Sequence, residues 1–176
     1  MTAPATLRPA TAADVDALLD LVHAAYRGDS GAGWTTEADL LDGTRTTPEL
    51  LAATVVDPAV RMLVAEGPDG ELLGCAAITV DGGSAGFGTF AVRPARQGGG
   101  LGATLLAAGE EYARAAGAST MTMTVLGVRE ELLAYYRRRG YVPTGAVVAF
   151  PYGDERYGRP RRDDLEFLVL AKPLTG

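Results

Sequence analysis

A chain of 176 residues with 47% hydrophobic side chains can bury one substantial core, and the expectation is a single domain over residues 1–176. A formal charge of −6 and an isoelectric point near 4.8 argue against nucleic acid or an anionic membrane as partner and suit a cationic amine better. The sole cysteine, Cys75, excludes an intrachain disulfide, the sole histidine, His23, leaves no set of metal ligands, and no apolar run is long enough for a membrane span, so a cytoplasmic protein without metal is expected.

Thr6 to Pro9 reads as a short extended start. Thr11-Ala-Ala-Asp14 then supplies an N-cap and a first-turn acid to a helix whose Val15, Leu18, Leu19, Val22 and Tyr26 share one face. His23 lies beside that stripe and reads as a helix histidine rather than a base. Gly28 to Gly33 breaks the helix, and Thr36-x-x-Asp39 resembles a capping box, which predicts a second helix from Glu37 into Leu41. Trp34, on the loop before it, either packs that loop down or, with Glu37 and Asp39, receives an amine. Thr47-Pro48 opens another short helix, Glu49 to Val55.

Arg61 to Glu66 and Glu71 to Val80 are apolar runs split by Gly67-Pro-Asp-Gly70, a hairpin signal, and Cys75 within the second reads as a buried thiol. Asp81 to Gly86 turns the chain into Phe87-Gly-Thr-Phe-Ala-Val92, a strand stopped by Arg93-Pro94. Gln97-Gly-Gly-Gly-Leu-Gly102 follows, leading into a helix with Leu101, Leu105, Ala108 and Tyr112 on one face. Ser119 to Val125 alternates as a strand and, reached through a crossover helix, lies parallel to the Phe87 strand. Val128, Leu132 and Tyr135-Tyr136 recur at helical spacing until Gly140. The tail holds strands at Ala146 to Tyr152 and Leu165 to Ala171 around a polar loop tipped by Asp154 and Glu155.

The junction of the Phe87 strand with the glycine loop is where chemistry concentrates, because a helix start offers unpaired amides and the positive end of the macrodipole to an anion. A nucleotidase phosphate loop needs a lysine that Gly102-Ala103-Thr104 lacks. A dinucleotide fingerprint matches loosely as Gly98-x-Gly100-x-x-Ala103, but the next strand, Ser119 to Leu126, carries no acid for a ribose. The third reading is the pyrophosphate of an acyl-coenzyme A. Here Gln97, Gly100 and Gly102, after Val92 and Pro94, resemble the signature of the GCN5-related N-acetyltransferase (GNAT) superfamily. Tyr135, Tyr136, Gly140 and Tyr141 resemble its downstream aromatic-Tyr and Gly-aromatic segment, while Arg129 and Leu132 stand where the family often has Asn and Ala.

The resemblance implies an α/β fold, a mixed central sheet of about six to seven strands with about four helices, splayed between the fourth and fifth strands. It implies transfer of an acetyl group from acetyl-coenzyme A directly to a primary amine of a small molecule or peptide, on a scaffold whose relatives often form homodimers. The alternative function is a non-catalytic acyl-coenzyme A sensor. By the same resemblance, backbone groups of Phe90, Ala91 and Val92 would bind the pantetheine arm, and Gln97, Gly98, Gly99, Gly100, Leu101, Gly102 and Ala103 the pyrophosphate. Tyr136 would protonate the departing thiolate, and Trp34, Glu37, Asp154 and Glu155 are acceptor-side candidates. The general base is then Glu37, Asp154, Glu155 or, the favoured choice, a chain of waters.

Overall fold

The computed structural model describes residues 4–27, 40–43 and 45–175. In chain order these form strand β1 (Thr6–Pro9), helix α1 (Val15–Arg27), strand β2 (Leu41–Asp42), helix α2 (Pro48–Val56) and the strands β3 (Val60–Glu66), β4 (Leu72–Asp81) and β5 (Ser84–Val92). Helix α3 (Leu101–Ala115), β6 (Thr120–Leu126), α4 (Glu130–Arg137), β7 (Val142–Ala149), β8 (Arg159–Pro160) and β9 (Glu166–Pro173) complete the order. Seven strands make one sheet in the order β1-β3-β4-β5-β6-β9-β7, and β2 pairs with β8 apart from it.

Alternation along β4 splits the core into two layers. Ala76 and Ile78 pack with Leu106 and Ala113 of α3 and Leu133 and Tyr136 of α4. Cys75 and Ala77 pack with Leu18, Leu21 and Val22 of α1 and Leu51 of α2 on the opposite face. Each helix thus buries one stripe against a sheet that is itself covered on both sides. None of the described helices is long and apolar enough to cross a membrane.

The sheet is antiparallel except between β5 and β6, and that exception makes the site. The two run parallel only from Ser84 opposite Thr120 to Gly86 opposite Thr122. Beyond Gly86 they diverge, so the β6-facing edge of Phe87–Val92 has no strand partner, which is the splay that the resemblance implies. On the other edge, β4 continues past a bulge: Ala77 faces Gly88 but Cys75 faces Ala91, leaving Thr89 and Phe90 opposite Ala76. The extra residue reverses side-chain parity, so Phe87 packs in the α3–α4 layer whereas Ala91 packs in the α1–α2 layer. Thr89 takes φ 45° there, a left-handed conformation unfavourable for a β-branched residue.

Three local expectations are corrected. Leu41, expected at the end of a helix from Glu37, is in strand β2, and residues 28–39 lie outside the described set. The strand expected at Ala146 to Tyr152 runs from Val142 to Ala149, because Gly140 ends α4 and the chain enters the sheet at once. A register shift between Pro143 and Val147 absorbs Thr144 to Ala146, and Pro151, with no amide to donate, lies past the strand end. The tail also contributes the short strand β8, which no periodicity announces.

Candidate active site

Two turns bring the glycine segment to the mouth of the splay. After β5, Arg93 donates its backbone amide to Leu73 O at 2.8 Å and its Nε to Leu72 O at 3.0 Å, tying the strand end to β4. Gln97 then folds back, its Nε2 donating to Val92 O at 3.1 Å. Gly100 caps α3 with φ 88°, a left-handed turn that a side chain would oppose. The helix ladder opens with the amide of Thr104, bonded to Gly100 O at 3.0 Å, and the first-turn amides of Leu101, Gly102 and Ala103 precede it. Gly102 is required by close approach: a Cβ there would lie 3.1 Å from Tyr135 Oη and 3.2 Å from Phe90 Cζ.

These elements enclose a cavity of about 360 Å³. Phe90, Ala91, Val92, Gln97, Gly98, Gly100, Gly102 and Ala103 line it, together with Tyr135, Tyr136, Arg138 and Arg139 from the end of α4. Gly99 and Leu101 belong to the same turn without lining the cavity, and Leu101 packs instead against the cluster of Ala65, Val92 and Leu105. Arg139 stacks on the Tyr135 ring at 3.6 Å and donates to Tyr135 O at 3.1 Å, so a guanidinium is held at the rim.

Across the splay lies a second cavity of about 420 Å³, lined by Phe87 to Phe90, Met123 to Leu126, Val148 to Pro151, Phe167, Leu41 and Arg45. The two cavities share Tyr26, Phe90, Arg129, Leu132 and Tyr136. Tyr26 donates its hydroxyl to Phe90 O, binding α1 to the strand at the point where it has left β6. Tyr136 is 4% exposed and fixed from behind, its carbonyl accepting the amides of Arg139 at 2.9 Å and Tyr141 at 3.1 Å as α4 closes. Burial first, then the neighbouring phenols of Tyr26 and Tyr135, raise its pKa well above that of an ordinary phenol. The group therefore keeps its proton throughout the neutral range.

The remaining sequence-named residues fall elsewhere. Trp34 and Glu37 lie outside the described residues. Asp154 and Glu155 sit on the β7–β8 connection and line neither cavity; Asp154 is bonded by Arg156 Nε at 2.9 Å and Nη2 at 2.7 Å. No carboxylate from the described residues lines either cavity. Tyr26, Arg45 and Arg129 line them without having been singled out for a site role from sequence, although Arg129 drew notice as a departure from the family pattern; Arg138 and Arg139 belong to an arginine run that sequence reads as a solvated helix end or a phosphate contact. Each side chain sits on a helix or loop whose placement depends on contacts remote in sequence, so only tertiary structure assembles them.

A bare, left-handed glycine turn before a helix, opening on an unpaired strand edge with arginines at the rim, has the features that suit an anion. The family model described as "Acetyltransferase (GNAT) family" matches residues 18–141, and the chain belongs to that family and is an acyltransferase. IAA acetyltransferase of Azospirillum brasilense is 35% identical over 123 residues, 69% of this chain and 72% of that protein. Mycothiol acetyltransferase of Clavibacter michiganensis is 33% identical over 141 residues, 80% of this chain but 44% of that longer protein. PaiA N-acetyltransferase from Thermoplasma acidophilum, solved in complex with coenzyme A, shares the fold at TM-score 0.73 and 14% identity, covering 97% of this chain and 99% of its own.

The residues present fit a coenzyme A. A Cβ at Gly98 or Gly100 would meet nothing within 4 Å, so the backbone of these lining residues is open, and among the described residues the charged lining side chains, Arg129, Arg138 and Arg139, are cationic. A polyanion with a narrow flexible arm matches both properties.

Proposed function

We propose that this chain, acting as one acetyltransferase domain, moves an acetyl group from acetyl-coenzyme A directly to a primary amine. One observation carries the reading: the glycine-lined cavity and the cavity across the splay share Tyr136 as a wall, so donor and acceptor can approach one buried phenol from two cavities. When bound, the cofactor supplies an activated acyl carbon and a thiolate leaving group. The backbone amides of Gly98, Gly100, Gly102 and Ala103 would hold its pyrophosphate beside Gln97, whose own amide is donated to Pro94 O at 3.3 Å, and Arg138 and Arg139 would balance the remaining charge. The unpaired edge of Phe90 to Val92 takes the amide-rich arm as an added strand would be taken.

Tyr136 keeps a proton at Oη at the junction and donates a hydrogen bond to the departing sulfur. Its raised pKa suits this role, since the donor is never ionised when the amine has become neutral. With no described carboxylate on either cavity wall, the amine's proton leaves through water in the open second cavity. The test is incubation of the pure chain with acetyl-coenzyme A and an amine panel, following free thiol and product mass. Cofactor binding without acylation of any amine would favour the sensor alternative, and absence of binding would overturn both.

A further inference from the structure

At the bulge in β5 two successive carbonyls leave the ladder together. Ala77 faces Gly88 and Cys75 faces Ala91, so neither Thr89 nor Phe90 has a register partner of its own in β4. Each carbonyl is taken by a side chain instead. The Phe90 oxygen accepts from the Tyr26 hydroxyl on α1, and the Thr89 oxygen accepts from the Cys75 thiol on β4, with Sγ and O 3.2 Å apart. The Ala91 backbone also hydrogen-bonds to that sulfur, so one side chain reaches the peptide groups on both sides of Phe90. Cys75 is completely buried in the layer of Leu18, Leu21 and Val22, and burial pushes its thiol up to about 12, so the donor keeps its proton at neutral pH. Thr89, at φ 45°, is held where a β-branched residue does not rest unaided.

Resting on the acetyl-transfer reading above, we infer that Cys75 is a positioning residue for the transfer: its thiol stands in for the ladder bond that the bulge removes, and so fixes how the edge from Phe90 to Val92 meets the acyl arm. The sulfur itself forms and breaks no bond in the reaction, being buried and turned onto backbone. An S–H is a weak donor, yet the alternative is a carbonyl facing a fully buried neighbour with no bond at all, and that loss exceeds the strength of the bond itself. Phe90 and Tyr136 each belong to the walls of both cavities. Rotation of the two peptide planes that flank Phe90 would therefore move the arm relative to the phenol, and a misplacement of about 1 Å costs the chemical step heavily. The glycine turn is anchored separately, because Arg93 ties the strand end to the carbonyls of Leu72 and Leu73. Loss of the thiol should thus be felt in kcat and little in cofactor affinity.

The test uses the full chain and three variants. Cys75→Ala and Cys75→Ser leave nearly the same space and differ in a hydroxyl that can take up the Thr89 carbonyl, while Cys75→Val refills the space without a donor. Amide exchange read by NMR is expected to quicken at least ~10-fold at Thr89 to Ala91 in the alanine and valine variants, with the amides of β3 and α3 unchanged. The serine variant should stay within ~3-fold of the parent chain. With acetyl-coenzyme A and the best acceptor of the amine panel, kcat should fall ~10-fold in the alanine and valine variants and recover in the serine variant, while the Kd of coenzyme A moves less than ~3-fold. Serine behaving like alanine, exchange quickened throughout the sheet, or a loss confined to cofactor affinity overturns the positioning role and leaves acetyl transfer standing. No acylation by the parent chain overturns the acetyl-transfer reading and this role with it.

Discussion

The two cavities that meet at Tyr136 are built in opposite ways. The glycine-lined one draws half of its wall from one short stretch of chain, Phe90 to Val92 and the turn from Gln97 to Ala103, and depends on what that stretch lacks, namely a strand partner on the β6-facing edge and side chains at Gly98, Gly100 and Gly102. The other is made of side chains from β2, β5, β6, β7 and β9 and the segments around them, and its function depends on which groups happen to converge. A backbone site binds what all its users share. A convergent side-chain site can be rewritten residue by residue, so on the proposed reading the glycine-lined cavity would set the donor and the other cavity the choice of acceptor.

That contrast can be broken by substitutions. The largest effect is expected from Gly102→Val. Its side chain would enter space already bounded by Tyr135 Oη and Phe90 Cζ at 3.1 and 3.2 Å, closing the approach to the α3 amides. Calorimetry should show cofactor affinity down by at least ~100-fold, with every acceptor affected alike. A mere few-fold change would mean the cofactor does not touch this backbone.

Tyr136→Phe should lower kcat by at least ~10-fold while cofactor affinity stays close to that of the parent chain. Because the folded phenol has a raised pKa, activity should climb with pH as the amine loses its proton and show no Tyr136-dependent decline below about pH 10. An alkaline limb near neutrality that disappears in the variant would contradict that assignment.

Tyr26→Phe removes one hydrogen bond to the Phe90 carbonyl and should cost roughly 3- to 10-fold in kcat/KM, from about 1 kcal/mol of lost positioning. The effect should appear with every amine, since the clamp acts on the strand edge shared by both halves.

The smallest effect concerns stability. Cys75 is fully buried, and burial pushes its thiol from 9.0 up to about 12. The folded chain therefore retains a proton that the unfolded chain has lost, so stability is complete below about pH 9 and falls as the pH rises toward 12. The slope from this group approaches 1.4 kcal/mol per pH unit, and Cys75→Ala should flatten it in alkaline denaturant titrations.

The same contrast explains what the sequence made legible. Strand, glycine turn and helix are local events, each signalled by neighbours in sequence, and the Gly67–Gly70 turn between β3 and β4 and the crossover into β6 were equally readable. Tyr136 could be singled out because its family segment, Tyr135 to Tyr141, is continuous in sequence. The second cavity was not: Arg45 and Arg129 are 84 positions apart by their numbering and come onto one wall only in the folded chain. Asp154 looked available because sequence could not show the bond from Arg156 two residues on.

The supernumerary residue at Thr89 in β5 lets a single strand serve two masters. Side chains before it insert on the α3–α4 side and Ala91 on the other, while the backbone between them swings clear of its neighbour. Removing Thr89 altogether would restore an even count, turn Ala91 and Val92 over, and draw the edge back toward the ladder. An insertion or deletion at this one place should therefore disturb both layers at once, as a substitution there does not.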